Sequence, residues 1–145
     1  MTVYQQSVVL PMARDELFDF VADIESYPRF LPWVRTVKIR GKSGNSLAFD
    51  QEICAWGLTA KFSSQAVLDR PMRIDITGQD GPFSHFSIRW SFAPVAGGAC
   101  RVSFHLDCEM RSRVLDMMLG IVIWDLGRRT FRAFARRAGE RPARG

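Results

Sequence analysis

The feature that most constrains this chain is a series of four segments in which apolar and polar residues alternate. Residues 58–68, 72–77, 85–92 and 101–110 all show this pattern, and in the last of them Phe104 and its neighbours alternate with serine and histidine. A period of two is typical of strands with one buried and one solvated face. The Gly- and Pro-containing connections are too short for crossover helices. The pattern therefore predicts an antiparallel sheet packed on one side only.

Shorter elements are predicted ahead of these segments. Residues 3–10 are expected to form a first strand, and residues 13–22 a short helix with an apolar stripe. The two prolines within residues 27–33 limit that segment to one further helical turn. Residues 37–40 and 47–56 are expected to complete the set of strands.

The last predicted element is a helix from about Arg113 to Arg137, roughly seven turns long. Its first half is almost entirely apolar, and its second half sets aromatic residues against arginines. Such a helix needs a broad apolar surface to pack against, and the apolar face of the sheet is the surface available. With 145 residues and 47% hydrophobic content, the chain is predicted to form one α+β domain over residues 1–145. The long C-terminal helix is expected to close over a curved antiparallel sheet.

The positive charge is concentrated at the C-terminal end. Residues 128–145 contain seven Arg and one Glu, a net charge of 7 − 1 = +6, whereas the whole chain carries +5. An Arg-rich tail from about residue 128 predicts contact with an anionic surface such as lipid headgroups. The alternative is a solvated helix end whose cations complement the helix dipole. The candidate contact residues are Arg128, Arg129, Arg132 and Arg136.

Cysteine usage and the N-terminal residues bear on the compartment. There are three cysteines, an odd number, and none forms a CxxC pair. This argues against a disulfide framework and for a reducing environment. The first residues lack the basic start and apolar run of a signal peptide. The expected location is cytoplasmic, with peripheral association at the inner face of a membrane as an option.

The chain shows no pattern typical of a catalytic or metal site. It contains no nucleophile elbow, P-loop or dinucleotide fingerprint, and no metal-ligand spacing. His85 and His105 fall on polar strand faces. Asp116 and Asp125 interrupt the apolar part of the long helix, where one of them could face a ligand or both could face solvent. No catalytic residue, no metal ligand and no required cofactor are predicted.

A curved sheet and a single long helix do not always fill the space between them. Large aromatic, aliphatic and methionine side chains facing such a space are suited to an apolar ligand, although they are equally typical of a packed core. The predicted ligand-binding residues are Tyr27, Phe30, Leu31, Trp33, Phe62, Ile74, Phe86, Ile88, Trp90, Phe104, Leu106, Met118, Ile121 and Val122.

Four stretches of the chain resemble a known family. Residues 27–33 read Y-P-R-F-L-P-W, followed by Gly57-Leu58, by D-G-P-F-S-H-F at residues 80–86 and by R-S-R-V-L at residues 111–115. Together they resemble the coenzyme Q-binding protein family, which belongs to the START-like, polyketide cyclase/dehydrase superfamily. One departure is Val34, where the family often has Cys.

The resemblance implies a helix-grip fold, with two short helices after the first strand and a hydrophobic tunnel between sheet and helix. It also implies non-catalytic binding and delivery of ubiquinone or a similar isoprenoid lipid, in support of respiration or quinone biosynthesis. Two alternatives stay open. Related folds act as polyketide cyclases or dehydratases, and close relatives of the family are described as toxins that bind the large ribosomal subunit.

Overall fold

The computed structural model describes residues 1–78 and 80–139. The described residues form seven strands, two α-helices and two short 3-10 turns. Their bounds, in chain order, are β1 Thr2–Leu10, α1 Arg14–Ala22, a 3-10 turn over Ile24–Arg29, β2 Val34–Ser43, β3 Ser46–Ala55, β4 Leu58–Asp69, β5 Arg73–Gly78, β6 Phe83–Val95, a 3-10 turn over Ala96–Gly98, β7 Ala99–Met110 and α2 Arg113–Gly139.

The strands form one antiparallel sheet in the order β1-β7-β6-β5-β4-β3-β2. Consecutive strands from β2 to β7 are neighbours, and β1 closes the edge beside β7. In β4, the buried positions are Phe62, Ser64 and Ala66, with half-buried or exposed residues between them. The predicted α+β class, the one-sided sheet and the long terminal helix are confirmed.

Strand β2 is longer than the sequence pattern indicates. It begins at Val34, three residues before the predicted start, and runs on to Ser43. Its pairing with β3 continues to a tight turn that contains Gly44, whose φ of +59° lies in the left-handed region. Apolar residues are sparse in this outer strand because it lies at the sheet edge, so the alternation that marks the other strands is weak there.

Helix α2 crosses the sheet at Gly127, where it packs against β1 and β7. A Cβ atom at this position would lie 2.8 Å from Cδ2 of Leu106 and 3.4 Å from Cβ of Tyr4. Glycine therefore permits the helix backbone to approach the sheet closely. Beyond this crossing the helix is anchored in the core by Phe131 and Phe134, which are both buried.

The proline-rich segment packs against the second half of α2. The ring of Phe134 lies 5.0 Å from those of both Tyr27 and Phe30, and 4.8 Å from that of Trp90. Tyr27 is buried, and its hydroxyl donates a hydrogen bond to the carbonyl oxygen of Val21. This aromatic cluster ties the segment, α1 and α2 together at one end of the molecule.

Candidate ligand-binding cavity

A cavity of about 290 Å³ separates the inner face of the sheet from the first half of α2. Ligand pockets in proteins typically begin at roughly 300 Å³, so this volume lies at the lower limit, where a small ligand or part of a larger one fits. The cavity is bounded at one end by the aromatic cluster around Phe134. At the other end it reaches Leu58 and Leu115, which are both exposed and form the rim of a mouth.

Nine of the predicted ligand-binding residues line this cavity. They come from the proline-rich segment, from the inner faces of β6 and β7 and from α2: Tyr27, Leu31, Trp33, Phe86, Ile88, Trp90, Phe104, Leu106 and Val122. Alternation along β6 and β7 brings their side chains to one face, and curvature of the sheet directs them toward the helix. Their binding role stays a prediction.

Three predicted residues from the loop and strands lie elsewhere. Phe30 stacks on Phe20 at 5.8 Å, outside the cavity. Phe62 packs its ring 4.9 Å from that of Phe83, behind the cavity wall. Ile74 is completely buried in the sheet core. None of the three is among the residues that line the cavity, and their predicted ligand-binding role stays a prediction.

Two predicted residues of the helix lie on its outer surface. Met118 is 69% exposed and Ile121 is 78% exposed, so neither contacts the cavity. The first half of α2 is apolar on all sides, so hydrophobicity alone did not indicate which face points inward. A charged side chain at position 121 would therefore remain at the protein surface.

Several residues of the wall were not predicted from the sequence. From α2 these are Leu115, Leu119, Ile123 and Leu126, and from β3 they are Phe49, Gln51 and Ile53. The helical residues 115, 119, 122 and 126 share one helix face, but residues 114, 117, 118 and 121 form an equally apolar face, so the spacing did not single out the inward one. In β3 the polar Gln51 occupies an inward-facing position between Phe49 and Ile53, so the alternation of apolar and polar residues is broken there.

Two hydrogen-bonded pairs place polar groups in the otherwise apolar wall. Nε1 of Trp33 donates to Oγ1 of Thr130 at 3.2 Å. Nε2 of Gln51 donates to Oγ of the buried Ser64 at 3.0 Å. Thr130 lies one helical turn from the buried Phe134, so its pair is nearer the aromatic end than the mouth. The cavity thus has a mildly polar region away from the rim.

The cavity wall carries no charged side chain among the described residues. Cys108 is the one thiol in this wall, and burial raises its pKa to about 12. A thiol with this pKa is protonated at neutral pH and is a poor nucleophile. The wall is therefore suited to holding a neutral apolar molecule.

The acidic residues of α2 are paired away from the cavity. Asp116 accepts a hydrogen bond from the backbone N–H of Met110 at 2.9 Å. Asp125 lies 2.6 Å from Nη2 of Arg128 and 2.8 Å from Nε of Arg129. The hydrogen bond from Arg128 holds the pKa of Asp125 below its usual range. Neither carboxylate lines the cavity.

The predicted anion-contact residues have different surroundings. Arg128 and Arg129 both form ion pairs with Asp125. Arg129, Arg132 and Arg136 are all exposed on this helix. The remainder of the predicted tail, residues 140–145, lies outside the described residues.

The two histidines occupy the outer face of the sheet. His85 is half exposed, with Nε2 3.5 Å from a carboxylate oxygen of Asp107. His105 borders a shallow polar depression formed by β1, β6 and β7. Across residues 1–78 and 80–139, no three His, Cys, Asp or Glu side chains are grouped as a metal site would require. None of the helices in this part of the chain is long and apolar enough to cross a bilayer.

These features define a START-like protein, in which a curved antiparallel sheet and a long C-terminal helix enclose an apolar cavity. Solved structures show the same architecture. A START superfamily protein from Mycobacterium smegmatis superimposes with a TM-score of 0.76 over 96% of this chain and 95% of that chain, at 18% identity. The Zhui aromatase/cyclase from Streptomyces sp. R1128 gives a TM-score of 0.83 over 94% of this chain and 92% of that chain, at 16% identity.

Residues 10–135 match the profile of the polyketide cyclase/dehydrase and lipid transport family, and the chain belongs to that family. A ribosome association toxin, RatA, from Rickettsia prowazekii is 31% identical in an alignment of 144 residues that covers 97% of this chain and 98% of the relative. The mitochondrial coenzyme Q-binding protein COQ10 homolog B from Xenopus laevis is 22% identical over 140 residues, 94% of this chain and 57% of that protein.

Proposed function

We propose that this protein binds an isoprenoid lipid, ubiquinone or a close chemical relative, and delivers it without converting it. The observation that carries the proposal is the apolar cavity of about 290 Å³ between sheet and helix. Burial of apolar surface contributes about 25 cal/mol per Å² to binding before the costs of association are deducted. The distant similarity to a coenzyme Q-binding protein supports the choice of ligand.

The polar pairs give this ligand an orientation. The Thr130 hydroxyl accepts from Trp33 and retains its own hydrogen, which is available to a quinone carbonyl oxygen. Gln51 donates one of its two amide hydrogens to Ser64 and keeps the other. The headgroup would lie beside these groups, and the prenyl tail would run along the apolar wall toward Leu58 and Leu115. Because the volume is small, a long tail would extend through the mouth.

The primary test is identification of lipids extracted from the purified protein, together with titration of delipidated protein with ubiquinone carrying two isoprene units. Quenching of Trp33 and Trp90 fluorescence would report binding, because both indoles line the cavity. Absence of quinone from the extract together with absence of saturable binding would end the proposal.

A substitution at Thr130 tests the orientation of the headgroup. Thr130→Val keeps the shape of the side chain and removes the hydroxyl donor. A hydrogen bond contributes about 0.5–1.5 kcal/mol, so Kd for the short quinone should rise about two- to tenfold. Thr36→Val, at an exposed position of β2, is the matched control and should leave Kd unchanged. Equal Kd values for Thr130→Val and wild type would place the headgroup elsewhere.

A second candidate function is regulation through the ribosome, favoured by the 31% identity to a ribosome association toxin. Exposed arginines such as Arg132 could contact rRNA phosphates, and such binding weakens steeply as salt increases. Salt-sensitive co-sedimentation with isolated large ribosomal subunits, lost in Arg132→Glu, would support this function.

A polyketide cyclase activity has less support, because the described cavity wall carries no charged acid or base.

A further inference from the structure

The outer face of α2 carries a continuous apolar stripe. Val114, Met117, Met118 and Ile121 follow the i, i+3, i+4, i+7 spacing of one helix face, and Met117 is 85% exposed. The wall of the cavity is formed by the opposite side of the same two turns. Large exposed apolar surfaces are uncommon on soluble proteins and usually mark an interaction site.

A second element extends this surface around the mouth of the cavity. At the turn between β3 and β4, Trp56 is 69% exposed and Leu58 is 52% exposed. Leu58 and, from α2, Leu115 both line the cavity and are exposed, so they join the outer apolar surface to the cavity wall. We name the set formed by Trp56, Leu58, Val114, Met117, Met118 and Ile121 the mouth surface.

Positive charges flank the mouth surface along the helix. Arg113 is exposed directly before the stripe. After the stripe, the same helix face carries the ion-paired Asp125 and then the exposed Arg132, which lies about 21 Å along the helix from Met118 at 1.5 Å per residue. An apolar patch between cationic side chains fits the acyl chains and the anionic headgroups of a bilayer together. Trp56 adds an indole, a side chain that favours the interface between water and lipid.

We propose that the mouth surface docks the protein on an anionic lipid bilayer, so that the cavity opens directly into the acyl-chain region. This inference rests on the proposed lipid-binding function and assigns its membrane contact. The first half of α2 and the β3–β4 turn enter the interface, while the outer face of the sheet stays in water. A lipid tail then passes between membrane and cavity without crossing solvent.

The test is flotation of delipidated full-length protein with vesicles of phosphatidylcholine and phosphatidylglycerol at a ratio of 7:3. This vesicle composition is roughly that of a moderately anionic bilayer. The variant is Met117→Asp/Ile121→Asp, which places two carboxylates on the stripe. Both positions are exposed, and neither contacts the cavity. The expected result is a loss of vesicle partitioning of about tenfold or more.

The matched control is Val9→Asp, which also replaces an exposed apolar residue by Asp but lies on β1, away from the mouth surface. It should float as wild type does. Thermal unfolding and binding of ubiquinone with two isoprene units are measured for all three proteins in vesicle-free buffer. Both should be unchanged, because the substituted side chains are at the surface.

Each result has a defined meaning. If wild-type protein binds the quinone but does not float with the vesicles, the docking inference is overturned and the lipid-binding function is left intact. Protein that floats through the mouth surface but binds no quinone supports docking and overturns the lipid-binding function. Equal flotation of the double variant and wild type overturns the assignment of the surface. A concentration-dependent dimer that the double variant abolishes, without flotation, would show instead that a second copy covers it.

Discussion

Filling the cavity offers a sensitive test of whether the space between sheet and helix exists. Val122 of α2 lines the cavity, and phenylalanine in its place adds four carbon atoms. At about 0.8 kcal/mol per buried methylene-sized group, the upper limit of the gain is ~3 kcal/mol. Ordering of the larger side chain and imperfect contact reduce this, so Val122→Phe should raise the free energy of unfolding by about 1–2 kcal/mol. In a filled core, the same substitution would cost about 1–3 kcal/mol.

The sign of this change is the decisive quantity. It is measured by urea unfolding of delipidated protein, as a shift in midpoint at constant m-value. Ile121→Phe, at the adjacent exposed position, is the matched control and should change stability by no more than about 0.5 kcal/mol. The filled cavity should also bind the short quinone more weakly. Destabilisation by Val122→Phe, or equal effects of the two substitutions, would refute the presence of an open cavity beside α2.

Three further predictions concern the core, the buried thiol and the charged pair of α2. Phe134→Ala should lower the free energy of unfolding by about 3–5 kcal/mol, because Phe134 is the centre of the aromatic cluster. If urea unfolding shows that this free energy falls by less than about 1 kcal/mol, Phe134 does not have that role. Burial raises the pKa of Cys108 to about 12, so in native protein at pH 8 this thiol should resist an aromatic disulfide reagent and react only after unfolding. The half-buried Cys54 should react first. Rapid labelling of Cys108 in native protein, located by peptide mapping, would contradict its burial. Asp125→Asn should be less stable than wild type at neutral pH, because Arg128 lowers the folded-state pKa of Asp125 and the charged pair therefore stabilises the fold above the unfolded pKa of about 3.9. The difference should vanish as pH falls below that value and Asp125 is protonated; a difference that persists at pH 2, measured by denaturant unfolding, would exclude this electrostatic origin.

Much of the architecture follows from local patterns that the chain carries in order. Alternation along β4 to β7 specifies which strand face is buried, because successive side chains must point to opposite sides of a sheet. The short connections force antiparallel neighbours, and the length of α2 leaves the sheet as its partner. For these reasons, the inward positions of Phe86, Trp90, Phe104 and Leu106 could be predicted from the sequence.

The sequence by itself did not determine which face of α2 meets the sheet. Apolar residues surround its first half, so Val122 and Ile121 are equivalent by hydrophobicity, yet one lines the cavity and the other is 78% exposed. The rotation of the helix is decided by tertiary packing. Gly127 admits the close approach to Leu106 and Tyr4, and the buried Phe131 and Phe134 anchor the second half of the helix. Because each residue of a helix is turned by a fixed angle from the last, fixing the second half also fixes which residues of the first half face outward. Met118 and Ile121 therefore lie at the surface around the mouth.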